Sequence, residues 1–440
     1  MSHFTDTDVL SQGFTPLRKA PTEPTPLSSG KRDSNNRMSF YGDPSADPPT
    51  AKEREVEHNL FEQSTYTRME RQRGRAMSRG NSFFKDDPLA REANTKSLAA
   101  DIDGMSIKSD SSHGDKEVGV VVVDPFTTGA HLAAGVCAKG YKCVRVFSIW
   151  DSPVASLIQE GVNVEYSATL QFNDQDPDED AATNEVCDQI RALPFPVVAI
   201  LAGAETGVEL ADRLSFRMGL RSNGEEGSLA RRNKYHMGEA VRSAGVRAVK
   251  QRFCTTQSEV KVFLLDLKAH LDKYNIPFKC VVKPVQSAGT DDVFLCDSID
   301  EAEESFRRIF GKKNGLGLMN DGALVQEFLR GTEYVIDKVS RDGEHKLVAV
   351  WQYDKRPVNG SAFVYFGMKL VNPNQDFTQE MIAYADQVLD ALGIVQGPSH
   401  MELMYCADGP CLIEVGSRCH GGEGTWLPVA QECVGYTQVS

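Results

Sequence analysis

Two acidic residues near the C-terminal end of the sequence are spaced so that together they could bind a divalent cation. Residues 400–422 read as two short strands joined by an Asp-Gly-Pro turn. Side chains alternate along a strand, so a three-residue turn over 407–409 places Glu402 directly opposite Glu414, whereas a two-residue turn would place them on opposite faces. We predict the three-residue turn, with Gly409 in the left-handed conformation.

Two carboxylates placed opposite each other repel unless a positive charge lies between them. Their Cβ atoms would be about 5 Å apart, where like charges destabilise a sheet or raise one pKa. Mg²⁺ suits this position because it prefers oxygen ligands, and phosphate oxygens often supply the ligands that the protein does not. An ordinary solvated hairpin is the alternative for this stretch alone. Arg418 and the Gly pair at 421–422 favour an anion-binding loop after the hairpin.

A lysine at the end of an apolar strand is a second feature suited to an anion. Lys283 closes the strand predicted over 278–283, and a loop of small residues follows at 286–290. A lysine on a buried strand needs an anionic partner, and the backbone N–H groups of such a loop can bind phosphate. The sequence contains no Walker A motif. A surface lysine at a strand exit is the alternative.

Together these segments resemble the ATP-grasp superfamily. Glu402, followed by Leu-Ile-Glu414-x-x-x-Arg418 and a Gly-rich run, is similar to the metal-binding signature of that family, and the resemblance extends over roughly 117–440. It implies that Glu402 and Glu414 hold Mg²⁺ on the triphosphate of ATP. The family usually has Asn two positions after the second Glu, where this chain has Gly416. One metal ligand is therefore missing or comes from elsewhere.

The resemblance also implies which residues bind ATP. Lys234, at the start of a predicted helix, would be the first ATP lysine and Lys283 the second. The segment 323–337 resembles the hinge between two lobes, where the backbone at 327–329 would meet adenine and Glu333 would bind the ribose hydroxyls. The predicted ATP-binding residues are Lys234, Lys283, Ser287, Gly289, Glu327, Leu329 and Glu333.

The reaction implied by the resemblance joins a carboxylate to an amine, as in L-amino acid ligases. ATP would phosphorylate the carboxylate, and the amine would attack the acyl phosphate, forming an amide or peptide bond. Arg418 would stabilise charge developing on the phosphoryl and acyl oxygens. Lys355 and Arg356 could contact the phosphoryl group or a substrate carboxylate, a solvated charged loop being the alternative. The expected substrates are a small-molecule carboxylate and amine, with amino acids as candidates.

Two other functions remain open from the sequence. A biotin-carboxylase-like enzyme shares the ATP-grasp module, although the sequence has no biotin-attachment segment. A catalytically silent ATP-binding protein, with its N-terminal segment as a regulatory or partner-binding region, is favoured by Gly416 and by the short stretch after Gly422. Bicarbonate-dependent ADP formation would indicate the first function, and ATP binding without ADP formation would indicate the second.

The composition divides the chain into three predicted parts. Residues 1–116 are rich in Ser, Pro, Asp, Arg and Asn, and they bury too little apolar surface to offset chain entropy, so we predict a disordered tail. Residues 117–222 open with a β-branched strand and resemble the small doubly wound α/β domain that precedes an ATP-grasp module. Only Gly129 of a dinucleotide fingerprint is present, which excludes a nicotinamide site. Residues 223–440 are predicted to form the two-lobed ATP-grasp domain. The predicted fold class is α/β and α+β.

Charge and cysteine content limit the partners and the location. The net charge of −14 argues against non-specific nucleic-acid binding. The sequence has no run of 18 apolar residues and no signal segment, which predicts a protein outside the membrane. The ten cysteines, none before Cys137, include no C-x-x-C pair, so we expect reduced thiols in a cytosolic protein. A homodimer is left open.

Overall fold

Three β-sheets form the framework of the described chain. The structure is a computed structural model, and it describes residues 117–149, 162–287, 290–358 and 361–440. The predicted disordered tail, residues 1–116, lies outside the described residues. The first sheet is parallel, and the other two are antiparallel. The mixed α/β and α+β class predicted from the sequence is confirmed.

The first sheet has the strand order β3-β2-β1-β4. Its strands are β1 (Gly119–Val123), β2 (Lys142–Phe147), β3 (Tyr166–Gln171) and β4 (Val197–Ala202), and its helices are α1 (Thr128–Ala138), α2 (Glu179–Arg191) and α3 (Val208–Arg217). Every residue of β1 is buried, as expected for a β-branched strand with helices on both faces. Val121 packs with α2 and α3, whereas Val122 packs with α1. This part is therefore doubly wound, as predicted.

The second sheet has the order β5-β8-β6-β7 and is covered on one face by two helices. Its elements are β5 (Gln251–Cys254), α5 (Gln257–Lys273), β6 (Cys280–Lys283), β7 (Phe294–Cys296), α6 (Ile299–Ile309) and β8 (Ala323–Glu327). Helix α5 begins where Thr256 and Glu259 form a reciprocal capping box. Leucines from α5 and Phe306 from α6 pack on Val282 and Val325 of the sheet. This packing leaves the end of β6, at Lys283, free to face the third sheet.

The third sheet has the order β11-β10-β9-β12-β13 and is covered on both faces. Its strands are β9 (Gly331–Arg341), β10 (Glu344–Val358), β11 (Ser361–Leu370), β12 (Gly397–Cys406) and β13 (Gly409–Gly416), and its helices are α4 (Lys234–Ser243), α7 (Asp376–Ala391) and α8 (Leu427–Val434). Helices α4 and α7 pack on one face and α8 on the other. The chain passes from β8 of the second sheet into β9 of the third through three residues, 328–330.

Two further features bear on the sequence predictions. Within the described ranges, no helix is long and apolar enough to cross a bilayer. All ten cysteines are unpaired, and most of them are buried. The boundaries at 116/117 and 222/223 stay predictions.

Candidate active site

The hairpin of β12 and β13 places Glu402 directly opposite Glu414, and this part of the prediction is confirmed. The predicted three-residue turn is wrong. Cys406 pairs with Gly409, so only residues 407–408 lie between the paired positions. Gly409 has the predicted positive φ, at +97°. A two-residue turn alone would have put the two carboxylates on opposite faces of the hairpin.

A β-bulge brings the two carboxylates back to the same face. The register shifts between Glu402, which pairs with Glu414, and Leu403, which pairs with Leu412. Ile413 is therefore an extra residue on the returning strand. Because the side-chain period of a strand is two, one extra residue reverses the parity set by the turn. The pairing that we predicted is thus reached by a different route.

Two lysines lie against the paired carboxylates. Lys234 Nζ is 2.9 Å from Glu414 Oε2. Lys355 Nζ is 3.4 Å from Glu402 Oε2 and 2.5 Å from Glu333 Oε1. The positive charge expected between the glutamates is therefore supplied, in this structure, by the chain itself. The same lysines are suited to phosphate, so the carboxylates and a nucleotide would compete for them.

One pocket collects most of the predicted residues. It lies between β6 and β8 on one side and the third sheet on the other. Its apolar wall includes Val281, Phe328, Met404 and Leu412. Such a wall with a few converging polar groups is typical of a small-molecule site. The predicted residues that line it are Lys234, Lys283, Glu327, Leu329, Glu333, Lys355, Glu402 and Glu414.

Lys283 is a buried cation facing this pocket. It is only 5% exposed, and burial lowers the pKa of its ammonium to about 8, although Glu414 partly opposes this shift. Among the described residues, none forms a hydrogen bond or an ion pair with its Nζ. An unpaired buried ammonium is costly, so the position calls for an anionic ligand.

Glu333 and Glu402 share Lys355 but differ in ionisation. Burial, with the nearby charge of Glu402, raises the pKa of Glu333 to about 7. Burial acts on Glu402 in the same direction, but Lys355 and His400 hold the pKa of that carboxyl well below its usual value. Glu402 is therefore ionised at neutral pH, as a cation ligand must be.

Two of the three predicted catalytic residues, Arg418 and Arg356, lie outside the pocket lining. Arg418 donates from Nε to Glu205 Oε2 at 2.8 Å and from Nη1 to its neighbour's carbonyl. Arg356 makes two hydrogen bonds to Asp354, and its side chain is 60% exposed. The structure therefore brings Lys355 to the site but not Arg356.

The loop after β6 is described only in part. Ser287 is buried, and its carbonyl accepts a hydrogen bond from Lys234 Nζ at 2.8 Å. The backbone N–H of Lys234 in turn donates to Val285 O at 2.9 Å, which ties the start of α4 to this loop. Gly289, the other predicted loop residue, lies outside the described residues.

Glu205 is a partner of Arg418 that the sequence did not predict. It begins a short 3₁₀ turn after β4 and lies between Arg418 and Arg232, whose Nη1 is 3.5 Å from Glu205 Oε1. Burial acts to raise the pKa of the partly buried Glu205, but Arg418, Arg232 and Lys234 together lower it below its ordinary value. The local signal was a glutamate in a Gly-rich strand-to-helix turn at 202–207. Its partner Arg418 is 213 residues away, so local pattern could not reveal the pair.

Comparison with known proteins identifies the family. Residues 276–426 match the family model described as ATP-grasp domain. Over 327 residues the chain is 35% identical to dapdiamide A synthase of Enterobacter agglomerans, with 74% of this chain and 72% of that protein covered. This chain belongs to the ATP-grasp family.

Two more comparisons place this ATP-grasp chain among its relatives. It is 24% identical over 231 residues to the L-arginine-specific L-amino acid ligase of Bacillus subtilis, of which it spans about half, 52%. Its fold resembles the crystal structure of L-amino acid ligase from Bacillus licheniformis, with a TM-score of 0.56 and 19% identity over 74% of this chain and 73% of that one. The second likeness concerns the fold alone.

The groups around the pocket fit a nucleotide with a hard divalent cation. Glu402 and Glu414 offer opposed carboxylate oxygens, which are the donors that Mg²⁺ prefers. Lys283 offers a buried ammonium without a described partner. An apolar wall that continues from β6 to β13 suits a purine ring. The ATP-grasp site of this chain therefore has the chemical groups for both ligands.

Proposed function

We propose that this protein is an ATP-dependent carboxylate–amine ligase, which forms an amide or peptide bond through an acyl phosphate. The observation that carries the proposal is the joint placement of Lys234, Lys283, Glu402 and Glu414 around one pocket. Two ammonium groups and two carboxylates that face the same pocket suit a metal-bound triphosphate. The substrates would be a small carboxylate and an amine, with amino acids as the first candidates because the named relatives are amino acid ligases.

The adenosine end of ATP would lie along 327–333. The backbone N–H of Glu327 donates to Lys250 O, and its side chain accepts from the backbone N–H of Lys250. The donor to adenine would therefore come from Leu329, beside the ring of Phe328. Glu333 would accept from the ribose hydroxyls, for which its bond to Lys355 must be shared or released.

The triphosphate end would lie on the lysines and the acidic hairpin. Glu402 and Glu414 would hold Mg²⁺, which neutralises phosphate charge when bound. Lys283 would bind phosphate directly, since it has no described partner to give up. Lys234 would turn from Glu414 toward the same phosphates. The Mg²⁺ requirement and a cytosolic location belong to this proposal.

Arg418 would act on the charge that develops during transfer. Its Nε is held by Glu205, which fixes the plane of the guanidinium. Burial disfavours the charged form of Arg418, but Glu205, Glu414 and Glu402 raise its pKa above the ordinary value. The remaining N–H groups would stabilise the phosphoryl and acyl oxygens in the transition state. Glu205 would thus be a positioning residue for Arg418.

ADP release over pairs of amino acids tests the proposal. We expect release with certain pairs that exceeds release with either amino acid alone, together with a dipeptide detected by mass spectrometry. Glu414→Gln, which keeps the volume of the side chain, should abolish this release. ADP formation supported by bicarbonate alone would point instead to a biotin-carboxylase-like reaction. ATP binding without ADP release over the whole panel would point to a silent nucleotide-binding protein.

A further inference from the structure

A buried carboxylate behind the acidic hairpin is bonded to two histidines. Asp337 lies on β9 and is fully buried. Its Oδ1 is 3.1 Å from Nδ1 of His400, and its Oδ2 is 2.8 Å from Nδ1 of His420. Trp351 also donates from Nε1 to Oδ2, at 2.7 Å. Each of these buried polar atoms therefore has a hydrogen-bond partner within the group.

One histidine connects Asp337 to the proposed cation site. His400 Nε2 is 3.4 Å from Glu402 Oε1. The second oxygen of the same carboxylate, Oε2, faces Lys355 at 3.4 Å. The bond between Nδ1 and Asp337 fixes the orientation of the imidazole, which aims Nε2 at Glu402. Glu402 is therefore contacted on both of its oxygens, whereas Glu414 has an ion pair to Lys234 on Oε2.

The other histidine connects Asp337 to the loop that carries Arg418. His420 Nε2 is 3.1 Å from the hydroxyl of Tyr353. The backbone N–H of His420 donates to Gln438 Oε1 at 2.8 Å, and its carbonyl accepts from Trp426 Nε1 at 3.0 Å. The loop is thus held on Asp337 through a side chain and on the C-terminal segment through its backbone.

We propose that Asp337 and His400 are positioning residues, which hold the Glu402 carboxylate in the orientation that the divalent cation requires. This inference rests on the proposed function, because it needs a cation at Glu402 and Glu414. Rotation about the last bond of a glutamate is nearly free, so a carboxylate must be held from outside to present a fixed oxygen to a metal. Histidine–carboxylate pairs behind metal ligands serve this purpose, and their loss typically weakens metal binding by about 10- to 100-fold.

Two substitutions of His400 separate its two contacts. The amide nitrogen of asparagine lies near the position of Nδ1, so His400→Asn keeps a donor toward Asp337 and removes the contact with Glu402. The amide nitrogen of glutamine lies near Nε2, so His400→Gln keeps the contact with Glu402 and removes the one with Asp337. A residue needed only for folding would not be sensitive to this difference.

The measurement is Mn²⁺ binding in the presence of a non-hydrolysable ATP analogue, followed by electron paramagnetic resonance on the full chain. His400→Asn should weaken Mn²⁺ binding by about 10- to 100-fold, and His400→Gln by clearly less. Asp337→Asn, which keeps the shape of the side chain, should also weaken it. Binding of the nucleotide without metal should change little in all three variants, because none of the changed atoms contacts the pocket wall at Lys283 or Phe328.

His345 offers a matched control in the same sheet. It lies on β10, its side chain is 5% exposed, and it is bonded through both nitrogens, to Ser340 Oγ at 2.7 Å and to Asp390 Oδ1 at 3.1 Å. It does not line the pocket. His345→Asn and His345→Gln should therefore lower the melting temperature to a similar extent and leave Mn²⁺ affinity unchanged.

Three outcomes overturn the inference. Equal Mn²⁺ affinity in the wild type and His400→Asn, when Glu414→Gln abolishes binding, would refute it while leaving the cation site intact. Because Asp337, His400 and His420 are close enough to hold a metal ion themselves, stoichiometric zinc in the purified protein that His400→Asn loses would also refute it. If the wild type binds no Mn²⁺ with the analogue, the cation site fails and the inference fails with it. Absence of ADP release with intact Mn²⁺ binding affects the proposed reaction alone.

Discussion

The carboxylate of Glu205 fills the space next to Gly416. A Cβ atom built on Gly416 would lie 2.9 Å from Glu205 Oε2, and also 2.9 Å from Cζ of Arg418, to which Glu205 is bonded. Real Cβ atoms almost never approach so closely. The glycine found where the family usually has asparagine is therefore matched to the ion pair between Arg418 and Glu205, which follows β4 of the first sheet.

Gly416→Asn should consequently impair the protein instead of completing the metal site. The added side chain would displace the ends of the Arg418 and Glu205 side chains and so disturb the ion pair that orients Arg418. We expect slower ADP release, with at most a small decrease in the free energy of unfolding in urea. Gly367→Ala on β11 is the control, since a Cβ there meets nothing within 4 Å. Faster turnover in Gly416→Asn at limiting Mg²⁺ would contradict this expectation.

The lysines beside the hairpin lead to a prediction on ligand stabilisation. Because Lys234 and Lys355 already neutralise Glu414 and Glu402, Mg²⁺ alone has little repulsion to relieve. With Mg²⁺ and ATP bound together, the two lysines would turn to phosphate and both carboxylates would be available to the metal. Together, Mg²⁺ and ATP should raise the melting temperature more than either alone. At a hundredfold excess over the dissociation constant, binding raises the free energy of unfolding by about 2.7 kcal/mol. Differential scanning calorimetry of the wild type and Glu414→Gln would measure this. Equal shifts with Mg²⁺ alone and with Mg²⁺ and ATP would contradict it.

Local sequence pattern was sufficient to predict much of the fold and most of the predicted residues that line the pocket. The all-buried β1, the strand ending at Lys283 and the alternation around Glu402 are properties of short segments, so they could be predicted. The places of Lys283 and Glu402 could then be predicted from the strands that carry them.

Contacts between distant segments could not be predicted in this way. The bulge at Ile413 depends on how β13 packs after the turn, and no residue type in the hairpin demands it. The pair of Arg418 with Glu205 joins the third sheet to the first across 213 residues. The links from Asp337 to His400 and His420 likewise span 63 and 83 residues. Each requires the tertiary structure, because a single sequence carries no record of which distant polar groups meet.

Lys283→Ala should weaken ATP far more than adenosine. Only the phosphates lose a partner, and a hydrogen bond to a charged group contributes about 1.5–3 kcal/mol, which corresponds to roughly tenfold or more in affinity. Titration calorimetry with ATP and with adenosine compares the two ligands directly. Lys268→Ala is the control, since Lys268 pairs with Asp272 on the exposed face of α5. Equal weakening of both ligands would mean that Lys283 supports the fold.

The lowered pKa of Lys283 leads to a pH dependence that can be measured without turnover. Burial lowers that pKa to about 8, so near pH 8 about half of the Lys283 side chains are neutral in the free protein. A bound triphosphate favours the ammonium and raises its pKa, so ATP binding must take up protons in this range. The uptake should approach about half a proton near pH 8 and vanish well below pH 7, where Lys283 is already charged. Affinity for ATP should accordingly fall as the pH rises from 7 to 9.

Calorimetry in buffers of different ionisation enthalpy measures the proton uptake. The variant Lys283→Arg, whose side chain stays charged throughout, should lose the uptake near pH 8. Glu333, whose pKa is raised to about 7, is the other pocket group that titrates nearby, and Glu333→Gln separates its contribution. Identical proton uptake in the wild type and Lys283→Arg would show that Lys283 remains protonated in the free protein.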